Sequence, residues 1–279
     1  MQINDIINSL NVISQKLFNA VETQIYQALD NIINISPKIL TQEPLKNIFF
    51  KDKINGIILI ANSFILFYIV YFILIQLISI YNGKQIPNIY FFIVKVIVIT
   101  LIVNNSYFLC ELSLEFIDAL TDAISMYGKD IAGQNICFES LKETILSIDD
   151  LIKSELISLN GLIKGVISFG IVTILINFSI RYVTIIFLII VSPFAIMSNI
   201  ADITGGLFKS WIRMYTSNLF MQIVIKLILI IPLMYKDKNS VMYKIILVGS
   251  IYLIYRVAEF TKELFLQVNQ KLDIKNHIT

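Results

Sequence analysis

A long apolar run over residues 161–191 constrains this chain more than any other feature of its sequence. At 1.5 Å per residue, a helix of that length is about 46 Å long, which exceeds the roughly 30 Å hydrocarbon core of a bilayer. The run has no turn residues near its internal charge, Arg181, so it predicts one long, tilted or protruding membrane helix. Pro193 disfavours helical geometry at Ser192, and we therefore expect the helix to end there.

A polar turn and a tryptophan follow this helix and lead into another apolar stretch. Thr204 is a candidate cap for the next helix, and Gly205 and Gly206 would let the backbone bend. Trp211 is of the type that membrane proteins favour at the depth of the lipid headgroups. The sequence thus predicts an interfacial elbow over residues 192–211.

The composition predicts that the chain as a whole is a membrane protein. Of the 279 residues, 57% are hydrophobic and 15% are charged, whereas soluble domains carry about 25% charged residues. We therefore predict an all-α, polytopic membrane protein with about five transmembrane helices. The predicted crossings cover residues 54–80, 88–109, 161–191, a stretch ending near 235, and 241–257. The corresponding segments are 1–53 (N-terminal amphipathic helix and linker), 54–110 (first transmembrane hairpin), 111–160 (acidic extramembrane segment), 161–257 (core membrane region with three crossings) and 258–279 (polar C-terminal tail).

The N-terminal segment has the pattern of an amphipathic helix. Apolar residues recur in steps of three and four over residues 2–33, but polar residues interrupt them too often for a crossing. The helix would lie on the membrane, dock on a partner or pack on its own bundle. The first residues show no basic leader or cleavage site, so no signal peptide is predicted.

The segment over residues 111–160 differs in charge from the rest, with ten carboxylates against three lysines. Its pattern predicts two amphipathic helices, roughly 111–127 and 138–159, with a hinge that contains Gly128 and Gly133. This acidic helical hairpin would lie between the second and third crossings. Its acidity is explained either by solvation or by docking of another subunit.

Five crossings would place the two ends of the chain on opposite sides of the membrane. The distribution of lysines and arginines favours a cytoplasmic N-terminus. Two cysteines, Cys110 and Cys137, would pair only in an oxidising compartment and are otherwise two free thiols.

Signatures of enzyme and cofactor chemistry are absent from the sequence. It has one histidine, His277, and no phosphate-binding glycine loop of the GxxxxGK type or CxxC pair. We therefore expect no catalytic site, no metal site and no cofactor.

Polar residues inside the predicted crossings are the candidate functional residues. Thr173, Asn177, Arg181 and Thr184 share one face of the third crossing, Asn218, Gln222 and Lys226 share one face of the fourth, and Lys95 lies in the second. A charge at membrane depth costs roughly 2.5–3.5 kcal/mol or more.

Two hypotheses explain these charges. Either the lysines reach the interface and Arg181 bonds to amides and carbonyls, or the cations line a wet path or meet carboxylates of another subunit. No acidic residue lies within the crossings to pair with them, which argues against ion-coupled transport. The lack of acidic partners within the crossings also predicts that the chain forms an oligomer or handles a charged substrate.

The stretch from Arg181 to Gln222 resembles one known family. The motifs are the Arg181-bearing helix that closes at Ser192-Pro193-Phe194-Ala195, the Thr204-Gly-Gly-Leu-Phe-Lys-Ser-Trp211 turn, and Gln222 in the next helix. They are similar to the TrbL/VirB-type polytopic membrane subunit of type IV secretion and conjugation systems, as is the five-crossing layout.

The resemblance implies a component of the translocation channel in the bacterial inner membrane. It would pass DNA or protein as several copies, beside an ATPase and an outer assembly, with contacts to other secretion-system subunits and to membrane lipid. In that family the N-terminus and the large loop lie outside, opposite to the orientation that the lysines favour. A permease or exporter subunit for a small solute and a structural membrane scaffold are the alternatives.

Overall fold

A computed structural model describes residues 24–41, 43–49, 56–83, 88–147, 159–201, 204–235, 237 and 240–276. Within these ranges the regular structure is entirely α-helical. In chain order the helices are α1 (residues 24–33), α2 (Lys38–Thr41), α3 (Glu43–Phe49), α4 (Gly56–Tyr81), α5 (Ile89–Asn104), α6 (Ser106–Ala132), α7 (Phe138–Ser147), α8 (Leu159–Met197), α9 (Gly205–Leu233) and α10 (Val241–Asn276).

Four of these helices are long and apolar enough to cross a membrane. They are α4, the part of α8 over Gly165–Met197, α9 and the part of α10 over Val241–Thr261. The consecutive helices α5 and α6 pass the same test as a pair, but they are bent by 62° at their junction. Within the described residues the predicted all-α architecture is confirmed, with four, or up to five, helices that could span a membrane.

The second predicted crossing ends earlier than the sequence indicated. Helix α5 begins after Asn88, whose side chain accepts hydrogen bonds from the N–H groups of Tyr90 and Phe91, as a helix N-cap does. The helix stops at Asn104, so its 16 residues span about 24 Å. That length is shorter than the hydrocarbon core, and a complete crossing would need the start of α6 as well.

The chain forms two compact units, each assembled from separate stretches of sequence. The first unit comprises residues Met1–Ile35, Ile117–Val183 and Asn218–Thr279, and the second comprises Ser36–Phe116 and Thr184–Ser217. This division cuts across the linear segments predicted from the sequence.

The first unit has an apolar core to which α1 contributes one face. The fully buried residues of α1 are Tyr26, Leu29 and Ile33, and they join a cluster with residues of α7, α8, α9 and α10. The described part of α1 is thus amphipathic and packed within its own unit. Residues 2–23 of the predicted N-terminal helix lie outside the described residues.

The acidic segment over residues 111–160 is only partly described. The prediction that Gly128 belongs to a hinge is wrong. Helix α6 continues through Gly128, where an added Cβ would approach the side chains of Ile136 and Ile230 to 2.7–2.9 Å. Gly128 therefore permits close packing and not a bend. The turn lies at Gly133, whose φ is +71° and whose N–H bonds to the carbonyl of Lys129 at 2.8 Å.

Helix α7 begins after this turn and packs Phe138, Leu141 and Ile145 into the core of the first unit. The structure describes the second helix of the predicted hairpin as far as Ser147. The rest of that helix lies outside the described residues, so the water-facing hairpin stays a prediction.

The prediction that the long helix ends at Ser192 is wrong, because α8 continues through Pro193 to Met197. Proline removes the N–H donor that would bond to the carbonyl of Ile189, and its ring crowds that carbonyl, yet the residues after Pro193 remain helical as far as Met197. In the same turn, the indole Nε1 of Trp211 donates to the carbonyl oxygen of Leu188 at 2.8 Å. This side-chain donor supports the turn that the proline weakens, and the chain leaves helical geometry only after Met197.

Candidate functional site

Arg181 is the centre of a buried polar network in the first unit. Its side chain is 4% exposed. Nε donates to the backbone carbonyl of Asn218 at 2.9 Å, and Nη1 donates to the carbonyl of Ile33 at 3.2 Å. Nη2 donates to Oε1 of Gln222 at 3.4 Å. The guanidinium group therefore joins α8 to α9 and to the end of α1.

Gln222 extends the network in two further directions. Its Oε1 accepts a second hydrogen bond, from the backbone N–H of Ile35 at 3.3 Å. Its Nε2 donates to Oγ1 of Thr121 on α6 at 3.2 Å. Gln222 and Thr121 are both almost fully buried, and burial of such groups is tolerated when they are hydrogen-bonded. The amide thus connects α9 with α6 and with the residues that follow α1.

Lys226 lies one helical turn after Gln222 on α9 and forms the second charged site of the unit. Its Nζ donates to the carbonyl oxygen of Ile136 at 2.9 Å, and the residue is 5% exposed. Its charge is attracted electrostatically to the carboxylate of Asp30 on α1. The prediction that the lysines reach the membrane interface does not describe this residue, which bonds inside the unit.

Asp30 connects α1 to the start of α7. Its two carboxylate oxygens accept hydrogen bonds from the backbone N–H groups of Phe138, at 2.9 Å, and Glu139, at 3.1 Å. These N–H groups lack partners within their own helix, and an acidic side chain is favoured at that end of the helix dipole.

Burial raises the pKa of Asp30 above its ordinary value of 3.8, and it outweighs the opposing effects of these two hydrogen bonds and of Lys226. The nearby Glu139 raises the pKa further.

Arg181 and Lys226 therefore have partners within this chain, although no acidic residue lies within the predicted crossings. Backbone carbonyls at the end of α1 and before α7 supply acceptors that a search for acidic residues in the crossings does not reveal. Among the predicted residues, the network brings together Arg181, the backbone of Asn218 and Gln222, while Lys226 lies one turn further along α9 in the second charged site. Of the two hypotheses for Arg181, the geometry matches bonding to amides and carbonyls.

The other predicted residues of the third crossing lie outside this network. The buried face of α8 is formed by residues such as Ile174, Phe178 and Arg181, whereas Thr173 and Asn177 lie beside it and are half-buried. The hydroxyl of Thr173 bonds back to the carbonyl of Phe169 in its own helix. Thr184, also half-buried, and Lys95 belong to the second unit.

Lys95 lines a groove of the second unit, and this groove has a volume of about 410 Å³. Most of the lining is apolar and aromatic, and it comes from α4, α5 and the turn after α8. The lining residues are Tyr68, Tyr71, Phe72, Ile75, Asn88, Phe91, Phe92, Lys95, Ile200 and Ala201.

The predicted elbow residues perform different tasks from those that the sequence suggested. The hydroxyl of Thr204 donates back toward the carbonyls of Ser198 and Ala201, so it closes the turn after α8 and does not cap α9. Gly205 and Gly206 lie in the first turn of α9, and neither has a positive φ. A side chain added at Gly206 would meet no atom within 4 Å. The bend therefore does not depend on these glycines.

Trp211 and Ser192 also belong to the second unit. Trp211 stacks on Tyr215, with ring centroids 5.3 Å apart and an angle of 7° between the planes, while its indole donates to α8. Ser192 is fully buried, and the adjacent Pro193 is buried within α8. These contacts give the elbow residues a packing role between α8 and α9 within that unit.

Sequence reasoning missed Asp30, Thr121 and the backbone groups of Ile33 and Ile35. Asp30 lies on the polar side of an amphipathic pattern, where solvation explains an acidic residue equally well. The backbone partners carry no sequence signal at all. Within the described part of the chain, no three His, Cys, Asp or Glu side chains are grouped as a metal site requires.

A comparison of the chain with protein-family models, with curated proteins and with solved structures finds no match.

Proposed function

We propose that this chain is a non-enzymatic, multi-pass component of a type IV secretion or conjugation machine in the bacterial inner membrane. In this role it contributes to the channel that passes DNA or protein. Its partners are other subunits of the machine, further copies of itself and membrane lipid. The motifs from Arg181 to Gln222 support the proposal, as does the multi-pass helical architecture.

The strongest support for the proposal is a buried polar network. The resembling stretch contributes Arg181 and Gln222 to a buried network that connects α1, α6, α8 and α9. Buried polar groups inside a membrane protein are costly, and they usually mark a substrate path or a specific helix contact. The cations of this network are bonded within the chain, and they would line a path for polyanions such as DNA once these bonds are exchanged for bonds to the substrate.

A mating assay tests the proposal. Cells that lack the gene should fail to transfer a conjugative plasmid, and expression of the intact chain should restore transfer. Undiminished transfer in the deletion strain would refute the proposal. The genes next to this one provide a second test, because a VirB-type ATPase and a relaxase favour conjugation, whereas an ABC-type ATPase favours a small-solute permease.

A structural scaffold is the second candidate, and the internal bonding of Arg181 and Lys226 favours it. A variant in which Arg181 and Lys226 are both replaced by glutamine distinguishes the two functions. The control is a chain that carries Arg256→Gln and Lys129→Gln. Arg256 is half-exposed and Lys129 is exposed.

If both chains assemble normally, a channel role predicts loss of transfer in the Arg181 and Lys226 variant alone. Equal transfer by the two variants would favour the scaffold.

A further inference from the structure

The groove that Lys95 lines in the second unit has the features of a binding site for a lipid. Its volume is about 410 Å³, and sites of that size in proteins are mostly apolar with a few polar groups. We infer that this groove holds an anionic phospholipid, with the phosphate near Lys95 and an acyl chain against the aromatic residues. The inference does not depend on which candidate function is correct, because it requires only that the chain spans a membrane.

Two contacts hold the walls of the groove in place. Phe72 of α4 stacks on Phe92 of α5, with ring centroids 3.7 Å apart and an angle of 3° between the planes. At the turn after α8, the hydroxyl of Tyr68 donates to Oγ1 of Thr204 at 3.3 Å. The two helices and the turn therefore enclose a formed, mainly apolar groove, which suits an acyl chain.

The groove is accessible from the depth of the lipid headgroups. Tyr81 at the end of α4 is 92% exposed, and Tyr90 at the start of α5 is 80% exposed. Tyrosine is favoured at the membrane–water interface, so these residues mark that depth on the hairpin of α4 and α5. Phe91, which lines the groove, is 67% exposed. A lipid of the surrounding bilayer can therefore reach the groove without crossing the protein.

Lys95 supplies the positive charge that favours an anionic headgroup. It is half-buried and lies six residues after Ile89, the first residue of α5, which is about 9 Å along the helix axis. In a helix the Cα–Cβ bond tilts toward the N-terminus, and the stem of a lysine can carry its ammonium group back to the interface. The start of α5 also carries partial positive charge.

The remaining polar groups of the groove are compatible with a phosphate. Among the lining residues that the structure describes, none is a carboxylate that would repel an anion. An ammonium group has three N–H donors, so Lys95 can hold a phosphate alongside a contact within the chain.

Lipid binding by the purified full-length chain tests the inference. In non-ionic detergent, native mass spectrometry measures the affinity of the chain for phosphatidylglycerol and for phosphatidylcholine with the same acyl chains. Lys95→Met removes the charge and keeps an unbranched side chain, whereas Lys95→Arg keeps the charge. Lys209→Met is the matched control, because Lys209 is an exposed lysine near the start of α9 in the same unit.

The intact chain should bind phosphatidylglycerol about tenfold more tightly than phosphatidylcholine. Lys95→Met should abolish this preference, and Lys95→Arg and Lys209→Met should keep it. An equal preference in the Lys95→Met and Lys209→Met chains would overturn the inference. Inorganic phosphate in large excess should not displace phosphatidylglycerol, since the acyl chain contributes to binding. Displacement by phosphate would also overturn the inference, because the site would then bind a free anion and not a lipid.

Discussion

At Arg181, a guanidinium group with five N–H donors meets three acceptors of its own chain. Two of these acceptors are backbone carbonyls, and the third is the side-chain oxygen of Gln222. A buried charge is costly unless it is hydrogen-bonded in this way. The arginine therefore connects helices in this structure. Removal of its side chain would leave the three acceptors without their hydrogen-bond donor.

Substitution of Arg181 by leucine should destabilise the chain by about 2–3 kcal/mol, because bonds to a charged group are lost in a buried site. Arg256→Leu is the matched control. Arg256 is bonded to Glu259 at 2.9 Å, but both side chains are more than half exposed, and such pairs contribute about 0–1 kcal/mol. Unfolding titrations in detergent measure both values. Equal losses would contradict the buried network.

Asp30 should make the stability of the chain depend on pH in a defined direction. Burial raises its pKa in the folded chain above the ordinary value of 3.8, so the folded chain keeps the proton to a higher pH than the unfolded chain. Ionisation between the two pKa values therefore favours unfolding. The free energy of unfolding of the native chain, relative to Asp30→Asn, should fall as the pH rises from about 3.8 through the folded pKa.

Comparison with Asp30→Asn cancels the contribution of the other carboxyl groups to the free energy of unfolding, because they titrate in both chains. Unfolding measured at several pH values gives the difference directly. A difference that grew with rising pH would mean that the hydrogen bonds from α7 outweigh the cost of burying the carboxylate.

Among the helix connections, the turn after α6 depends on a glycine and the turn before α9 does not. Gly133 has a φ of +71°, where a side chain is strained, so Gly133→Ala should destabilise the chain by about 1 kcal/mol. Gly206 is helical and open to a side chain, so Gly206→Ala should be neutral or stabilising by up to about 1 kcal/mol. Thermal unfolding in detergent compares the two. A larger loss at Gly206 would contradict the described geometry of α9.

Continuous apolar runs predicted the membrane helices well, because the length and hydropathy of a run are local properties. The parts of α4, α8, α9 and α10 that are long and apolar enough to cross a membrane correspond to predicted crossings. The ends of the helices were predicted less well. Pro193 was taken as a stop, yet the chain tolerates the missing hydrogen bond in a turn that Trp211 supports.

The partners of the cations could not be predicted, since they come from residues distant in sequence. The carbonyl of Ile33 is 148 positions from Arg181, and the carbonyl of Ile136 is 90 positions from Lys226. Any residue type can supply a carbonyl, so composition and spacing carry no information about such a contact. The helical period did identify Gln222 and Lys226 as neighbours on one face.

For the molecule as a whole, the bent pair of α5 and α6 decides between four crossings and five. The five-crossing arrangement predicts that the two ends of the chain lie on opposite sides of the membrane. Reporter enzymes fused to each end, one active in the cytoplasm and one active outside it, test this directly. Both ends on the same side would mean that the pair does not span the membrane. The side that holds the N-terminus would also decide between the lysine distribution and the orientation that the family resemblance implies.

In the buried network of the first unit, the side chains of Arg181 and Gln222 connect helices that come from three separate stretches of the sequence. A double-mutant cycle between Arg181 and Gln222 tests it most directly. Arg181→Leu, Gln222→Leu and the double variant are unfolded in detergent, and the free energies of unfolding are compared. Residues bonded in one buried network should be coupled by about 1 kcal/mol or more. Additive losses, with a coupling close to zero, would show that Arg181 does not bond to Gln222 and would contradict the closed polar core.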